Sequence, residues 1–114
     1  MMARIWRGET KVADTAAYLE VLRATGVPDY LATDGNRGVW VFTRPVGEET
    51  EFVVLTLWTS REAIAGFAGD DIEQARYYPE DEKYLLRFTP TVEHYECAIA
   101  EGSVSQPDIN SRQK

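Results

Sequence analysis

An α+β domain is what this sequence predicts, and three observations predict it. Segments with the two-residue alternation of strands are interleaved with segments whose apolar residues recur at helical spacing. Their order is strand, helix, strand, strand, helix, strand. The two middle strand segments are apolar on both faces, yet two helices cover only one face of a sheet, so the second face calls for a partner.

The first strand spans residues 3–9, with Ile5 on one face, Arg4 and Trp6 on the other, and Gly8 near its end. Asp14 is the expected N-cap of a helix carrying Ala16, Ala17, Tyr18, Leu19, Val21 and Leu22 at helical spacing. Gly26, free to take a positive φ, should end it, and Pro28 marks the stop. Residues 27–32 read as irregular, and Asp34-Gly35-Asn36-Arg37-Gly38 is a dense turn signal. Residues 39–44, rich in β-branched and aromatic side chains, form a strand. A hairpin-length connection through Gly47 leads to residues 52–58, nearly all apolar and therefore expected as a central strand covered on both sides.

Either Thr59 or Ser60 can cap the next helix, Thr59 standing at capping-box spacing from Glu62, and Ala63, Ile64 and Phe67 form its stripe. After Gly69 a second helical piece is expected from Ile72 to about Tyr77, with Ile72, Ala75 and Tyr78 on its inner face and Asp70 and Asp71 complementing its dipole. Residues 79–82 read as a loop, Tyr84-Leu85-Leu86 as a short apolar run, and residues 92–99 as a last alternating strand. The pattern is the split βαβ of a ferredoxin-like antiparallel sheet, with one domain over residues 1–100 and a polar, exposed or disordered tail over 101–114.

The chain has 114 residues, 44% hydrophobic and 27% charged, the balance of one globular domain. Its net charge of −7 argues against nucleic acid and anionic membranes as partners, since phosphates would be repelled. No apolar run is long enough to span a bilayer, and residues 1–7 reach charge at once, without the apolar core of a signal peptide. A lone cysteine, Cys97, rules out an internal disulfide and points to a cytoplasmic home; on a half-buried strand it reads as a small hydrophobe rather than a nucleophile.

The run from Phe52 through Trp58 into Thr59-Ser60-Arg61-Glu62-Ala63 resembles the strand-to-helix junction of the antibiotic biosynthesis monooxygenase family. Thr25-Gly26-Val27-Pro28, Gly35-Asn36-Arg37-Gly38, Phe67-Ala68-Gly69, Tyr77-Tyr78-Pro79-Glu80-Asp81 and Val92-Glu93-His94-Tyr95-Glu96 are similar to a subgroup whose activity is mostly unassigned. The resemblance covers roughly residues 3–98 and implies a homodimeric α+β barrel. Members with known activity imply either O₂-dependent oxidation of aromatic polyketides without metal or flavin, or haem binding and breakdown. The haem-degrading members carry a Trp and, ten positions on, a His; here those places fall on Phe67 and Tyr77, and only a tyrosine ligand to iron would remain.

His94 is the only histidine and the only side chain whose ordinary pKa lies near neutrality. Val92, His94 and Glu96 share one strand face; if that face meets the helices, His94 lines an internal cleft and can accept a proton from a phenol or activated C–H as the catalytic base. The plainer reading is a hydrogen-bonded structural histidine. Among the aromatic residues, Trp58, Tyr78, Phe67 and Trp6 are the candidate ring-binding surface, while Trp40 and Phe42 cannot be phased with them from sequence. Strand aromatics also serve simply as core, and Tyr78 can pack on Pro79. Arg4 and Arg44 can bind an anionic or carbonyl group, or be solvated edge cations. The acidic runs around Asp70 and Asp81 lack EF-hand spacing, a single His and a single Cys argue against a zinc site, and no phosphate-cradling glycine loop is present, so no cofactor or metal is expected. The expected function is a cofactor-independent monooxygenase-like protein acting on a small apolar or aromatic compound, as a homodimer. The alternatives are a non-catalytic ligand-binding or stress-related barrel and a haem-binding protein.

Overall fold

The computed structural model describes residues 1–102. Its element order is β1 (Met2–Lys11), a 3₁₀ turn (Val12–Asp14), α1 (Thr15–Ala24), α2 (Gly26–Ala32), β2 (Asn36–Val46), β3 (Glu49–Trp58), α3 (Arg61–Ala68), α4 (Asp81–Tyr84) and β4 (Glu93–Glu96). The strands form one antiparallel sheet in the order β2-β3-β1-β4. That order places the first and third strands at the centre, the ferredoxin-like arrangement. The expected tail lies outside the described residues from 103 onward.

The alternation read from the sequence becomes two unlike sheet faces. On β3, Thr50, Phe52, Val54, Thr56 and Trp58 are buried, whereas Val53, Leu55 and Leu57 are only half-buried. Register extends each face across the sheet. The inner face adds Arg4 and Trp6, opposite Thr56 and Val54 on β3, and His94, opposite Arg4 on the other side. The outer face adds Ile5, opposite Leu55, with Trp40 and Phe42 on β2 and Tyr95 on β4. Helices cover the inner face alone. The core there joins Tyr18 and Leu22 of α1, Tyr30 of α2, Ile64 and Phe67 of α3, and Ile72, Leu85 and Val92 of the connecting segments. Residues 52–58 are therefore central in the sheet but covered on one side within a single chain, not on both.

Several local expectations change. Residues 26–32 form a helix rather than an irregular stretch. The chain breaks at Thr25, whose φ of −120° and ψ of −81° leave the helical region, and restarts with Pro28 third in α2. Proline fits there because first-turn N–H groups have no intrahelical acceptor to lose. Gly26 accordingly has no positive φ. Asp14 belongs to the 3₁₀ turn and makes no side-chain cap. Ser60, not Thr59, caps α3, accepting from Ala63 N at 3.1 Å. Gly35 takes a φ of 88° beneath α3, where a Cβ would strike Ala63.

The largest difference lies after α3. Residues 72–77 form no helix, and Asp71 accepts from Glu73 N in a turn instead of starting one. The segment runs extended beside residues 90–92, through Ala75 N to Pro90 O at 2.9 Å and Val92 N to Glu73 O at 3.0 Å. The helical turn falls one step later, at Asp81–Tyr84. β4 is four residues long, shorter than the expected 92–99.

Candidate functional site

β1 and β4 place Arg4 and His94 side by side on the inner face. Both are interior: Arg4 is 2% exposed and the His94 side chain 5%. Arg4 Nη1 lies 3.1 Å from His94 Nε2. A guanidinium has only donors, so His94 Nε2 is the acceptor and the neutral ring carries its proton on Nδ1. Nδ1 lies 3.3 Å from Glu73 Oε2, near enough for an ion pair but not aligned as a hydrogen bond. Burial and the adjoining Arg4 charge push the His94 pKa below 6.5, and Glu73 pulls the other way. His94 is therefore neutral at physiological pH.

Arg4 does more than flank the histidine. Nη1 also donates to Ile72 O, and Nη2 donates to Gln74 O at 3.0 Å. The guanidinium thus straps the irregular segment 72–74 over the β1–β4 edge. The expectation of a solvated edge cation holds for Arg44, whose side chain is exposed and paired with Glu51. It fails for Arg4, because the strand phase that turns Trp6 inward turns Arg4 inward too.

Trp6, Trp58 and Phe67 all lie in the core next to this pair. The Trp6 ring runs over Gly8, where any Cβ would strike it, and meets Tyr77 edge-on at 6.1 Å. Trp58 is fully buried, donates from Nε1 to Thr56 Oγ1 at 2.8 Å, and lies 6.0 Å from the Phe67 ring. Phe67 stacks on Tyr30 at 4.3 Å and lies 6.0 Å from the Arg4 guanidinium. Tyr78 stands apart from the histidine: its hydroxyl donates to Asp29 Oδ2 at 2.6 Å and its ring lies 5.0 Å from Arg76, which bridges to Phe67. Phe67 and Trp58 thus stand together on the Arg4 side of the core, Trp6 follows Arg4 on the same sheet face, and Tyr78 is set apart with Arg76 and Asp29. Trp40 and Phe42 lie on the opposite sheet face.

Among the described residues, three buried side-chain nitrogen atoms have no aligned partner: Arg4 Nε, Trp6 Nε1 and His94 Nδ1. All three belong to the inner face of β1 and β4. Sequence reasoning missed two further contributors. Glu73 and the carbonyls of residues 72 and 74 come from a stretch whose helical spacing hides its extended path, and nothing in the residue pattern marks them as neighbours of His94. Two hollows lie elsewhere. One of about 670 Å³ opens between Asp34, Thr59, Ser60 and Gly66; the other, about 340 Å³, lies on the outer face between Arg7, Phe42, Arg44 and Val53. Neither touches His94. Among the described residues no cluster of His, Cys, Asp and Glu is arranged to hold a metal.

No family model and no curated protein matches the sequence. Solved structures do match. A protein of unknown function from Nitrosomonas europaea aligns over 91% of this chain and 95% of its own, at a TM-score of 0.62 and 21% identity. A candidate antibiotic biosynthesis monooxygenase from Bacillus cereus aligns over 92% and 98%, at 0.58 and 17%. The haem degrader MhuD from Mycobacterium tuberculosis, solved with two haems in its active site, aligns over 90% and 100%, at 0.56 and 21%. The residues here do not fit a haem. The Tyr77 hydroxyl donates to Thr89 O, the lone pair of His94 Nε2 is held by Arg4, and indole and phenyl side chains fill the inner face. The chain thus shares the ferredoxin-like α+β fold of the antibiotic biosynthesis monooxygenase family, the family its own residues resemble.

Proposed function

We propose that the protein is a homodimer that binds a small, flat ring compound on the inner sheet face and oxidises it with O₂ without a cofactor. The observation that carries this reading is the set of buried, unpartnered nitrogens beside a neutral histidine and buried aromatic rings. Buried donors without acceptors are rare in finished cores and suit a site that a ligand completes. His94 is the proton acceptor. Once its Nε2 is released by Arg4 it can take a proton from a phenol or an activated ring C–H. Arg4 then stabilises the resulting oxyanion. The electron-rich anion reacts with O₂ itself: a ring CH₂ becomes C=O, one oxygen atom enters the carbonyl and the other leaves as water. Trp6, Phe67 and Trp58 hold the ring, and Tyr78 borders the site from Arg76.

The dimer follows from the outer face. Ile5, Trp40, Phe42, Val53, Leu55, Leu57 and Tyr95 form an apolar area with Phe42 52% and Tyr95 53% exposed. Ion pairs Arg7–Glu93 and Arg44–Glu51 lie on the same face. An apolar centre with polar groups around it is the composition of an interface, and a second copy of the same face closes it.

The test of the enzyme reading is oxygen uptake with 1,8-dihydroxyanthrone as probe. Uptake above the uncatalysed rate that disappears in His94→Ala, with the fold retained by circular dichroism, supports it. Uptake unchanged in that variant removes His94 from the chemistry. A second reading, a barrel of the same fold without catalysis, is favoured by the filled inner face, where the chain's own side chains occupy the place of a ring. Saturable binding of the same compound with no oxygen uptake decides for it.

A further inference from the structure

Arg4 is the most deeply buried cation described, and no carboxylate oxygen lies within 4.0 Å of it among the described residues. Arg7, Arg44, Arg76 and Arg87 are exposed, and each is paired with an aspartate or glutamate. The pairing is reversed from what electrostatics favours. An ion pair contributes little at the surface, whereas an uncompensated interior charge costs several kcal/mol. The chain has acids to spare, 19 against 12 Lys and Arg. Glu73, the acid nearest this site, is 57% exposed and turned to the imidazole. Arg4 instead spends its guanidinium on two backbone carbonyls and a ring nitrogen, and Nε stays unpartnered.

A buried positive charge with a spare N–H, beside a neutral imidazole, has the chemistry of an anion site. We propose that the inner-face site selects an anionic ring compound, one bearing a carboxylate or an acidic enol, whose charged oxygen becomes the counter-ion of Arg4. The inference rests on the ring-binding reading above and names its substrate class.

The exchange is physically reasonable. An anionic oxygen adds to the guanidinium hydrogen bond the Coulomb attraction of a full opposite charge, which a neutral carbonyl lacks. The carbonyls to be displaced, Ile72 O and Gln74 O, belong to a segment without helical bonds, attached through one isolated bridge between Gln74 and Thr91 and its neighbouring backbone bonds. Phe67, 6.0 Å from the guanidinium, puts an aromatic ring next to the charge. The exchange also has a catalytic consequence. When the ligand oxygen takes the Arg4 Nη1 donor, the Nε2 lone pair of His94 is freed, so the ligand that fills the site releases the base.

The experiment compares 2-naphthoate with its neutral isostere 2-naphthamide, by titration calorimetry on the full chain near neutral pH. The expected result is naphthoate binding at least about tenfold tighter, the size of one charge-assisted contact. That preference should vanish in Arg4→Gln and survive in part in Arg4→Lys. Equal affinities in the unaltered protein overturn the inference while leaving ring binding standing, and this comparison holds even if Arg4→Gln fails to fold. A preference that disappears in Arg44→Gln assigns the anion to the outer groove and also overturns it. Binding of neither compound overturns both readings. A naphthoate preference together with no oxygen uptake from 1,8-dihydroxyanthrone supports the anion site and defeats only the oxidation.

Discussion

Replacing Asp81 with alanine removes the carboxylate that ties the covering segment to the helical layer. Asp81 is 3% exposed and divides its oxygens between two donors. Oδ1 accepts the Tyr18 hydroxyl at 2.8 Å, and Oδ2 accepts Tyr78 N at 2.7 Å. Tyr18 is itself 1% exposed, so its hydroxyl would be left with no water to turn to. A buried donor stranded this way costs roughly 1–3 kcal/mol, and the partly buried Tyr78 N–H adds about 1. Relief of carboxylate desolvation returns some of this. The net expectation is a loss of roughly 2.5 kcal/mol. With a urea m-value of about 1.5 kcal/mol/M, the midpoint should fall by roughly 1.7 M at unchanged slope. Tyr18→Phe, which removes one donor and strands nothing but half a carboxylate, should lose about half as much. A midpoint shift below about 0.3 M for Asp81→Ala would refute the claim that this contact latches residues 78–84 onto α1.

The remaining predictions concern charge, interface and backbone. His94 has a folded pKa below 6.5, so the unfolded chain binds its proton first as pH falls. Stability should therefore decline on acidification through the interval just below 6.5, and His94→Gln should flatten that part of a urea-midpoint profile. Glu73 opposes the shift, so Glu73→Gln should lower the His94 pKa further; a rise, followed by imidazole NMR, would contradict the assigned contact. Leu55→Glu on the outer face should convert a dimer into a monomer by light scattering, whereas a monomeric unaltered protein would sink the interface proposal. Gly35→Ala should cost about 1–3 kcal/mol in thermal or urea melts, since the residue holds a φ of 88° against Ala63.

What could be read in advance follows the physics of each segment. β1 and α1 carry periodicity because one face of each is buried, whereas β2 and β3 are legible from their run of β-branched, aromatic and apolar residues. Ser60 and Thr59 were interchangeable caps on paper; only the backbone at Ser60, extended at φ −163°, decides between them. α2 was hidden by Pro28, whose usual meaning as a stop does not apply within a first turn. Residues 72–77 have a helical-looking pattern, but tertiary bonds to Arg4 and to residues 90–92 take the backbone groups that a helix would use. The candidate site divides the same way. His94, Trp6, Trp58 and Phe67 were visible as residue types and facing positions. That Arg4 is interior, that its charge lacks a carboxylate, and that Asp81 is a buried latch all depend on contacts more than 60 positions apart in the chain.

The most direct measurement uses the single histidine as its own reporter. In protein labelled with ¹⁵N, His94 supplies the one side-chain imidazole signal, and in the free protein it should show a neutral ring protonated on Nδ1. Saturation with 2-naphthoate should move the Nε2 resonance, as Arg4 leaves it for the ligand. Saturable binding of naphthoate with both His94 nitrogen resonances unmoved would contradict the account, because it would place the ligand somewhere other than the inner face of β1 and β4.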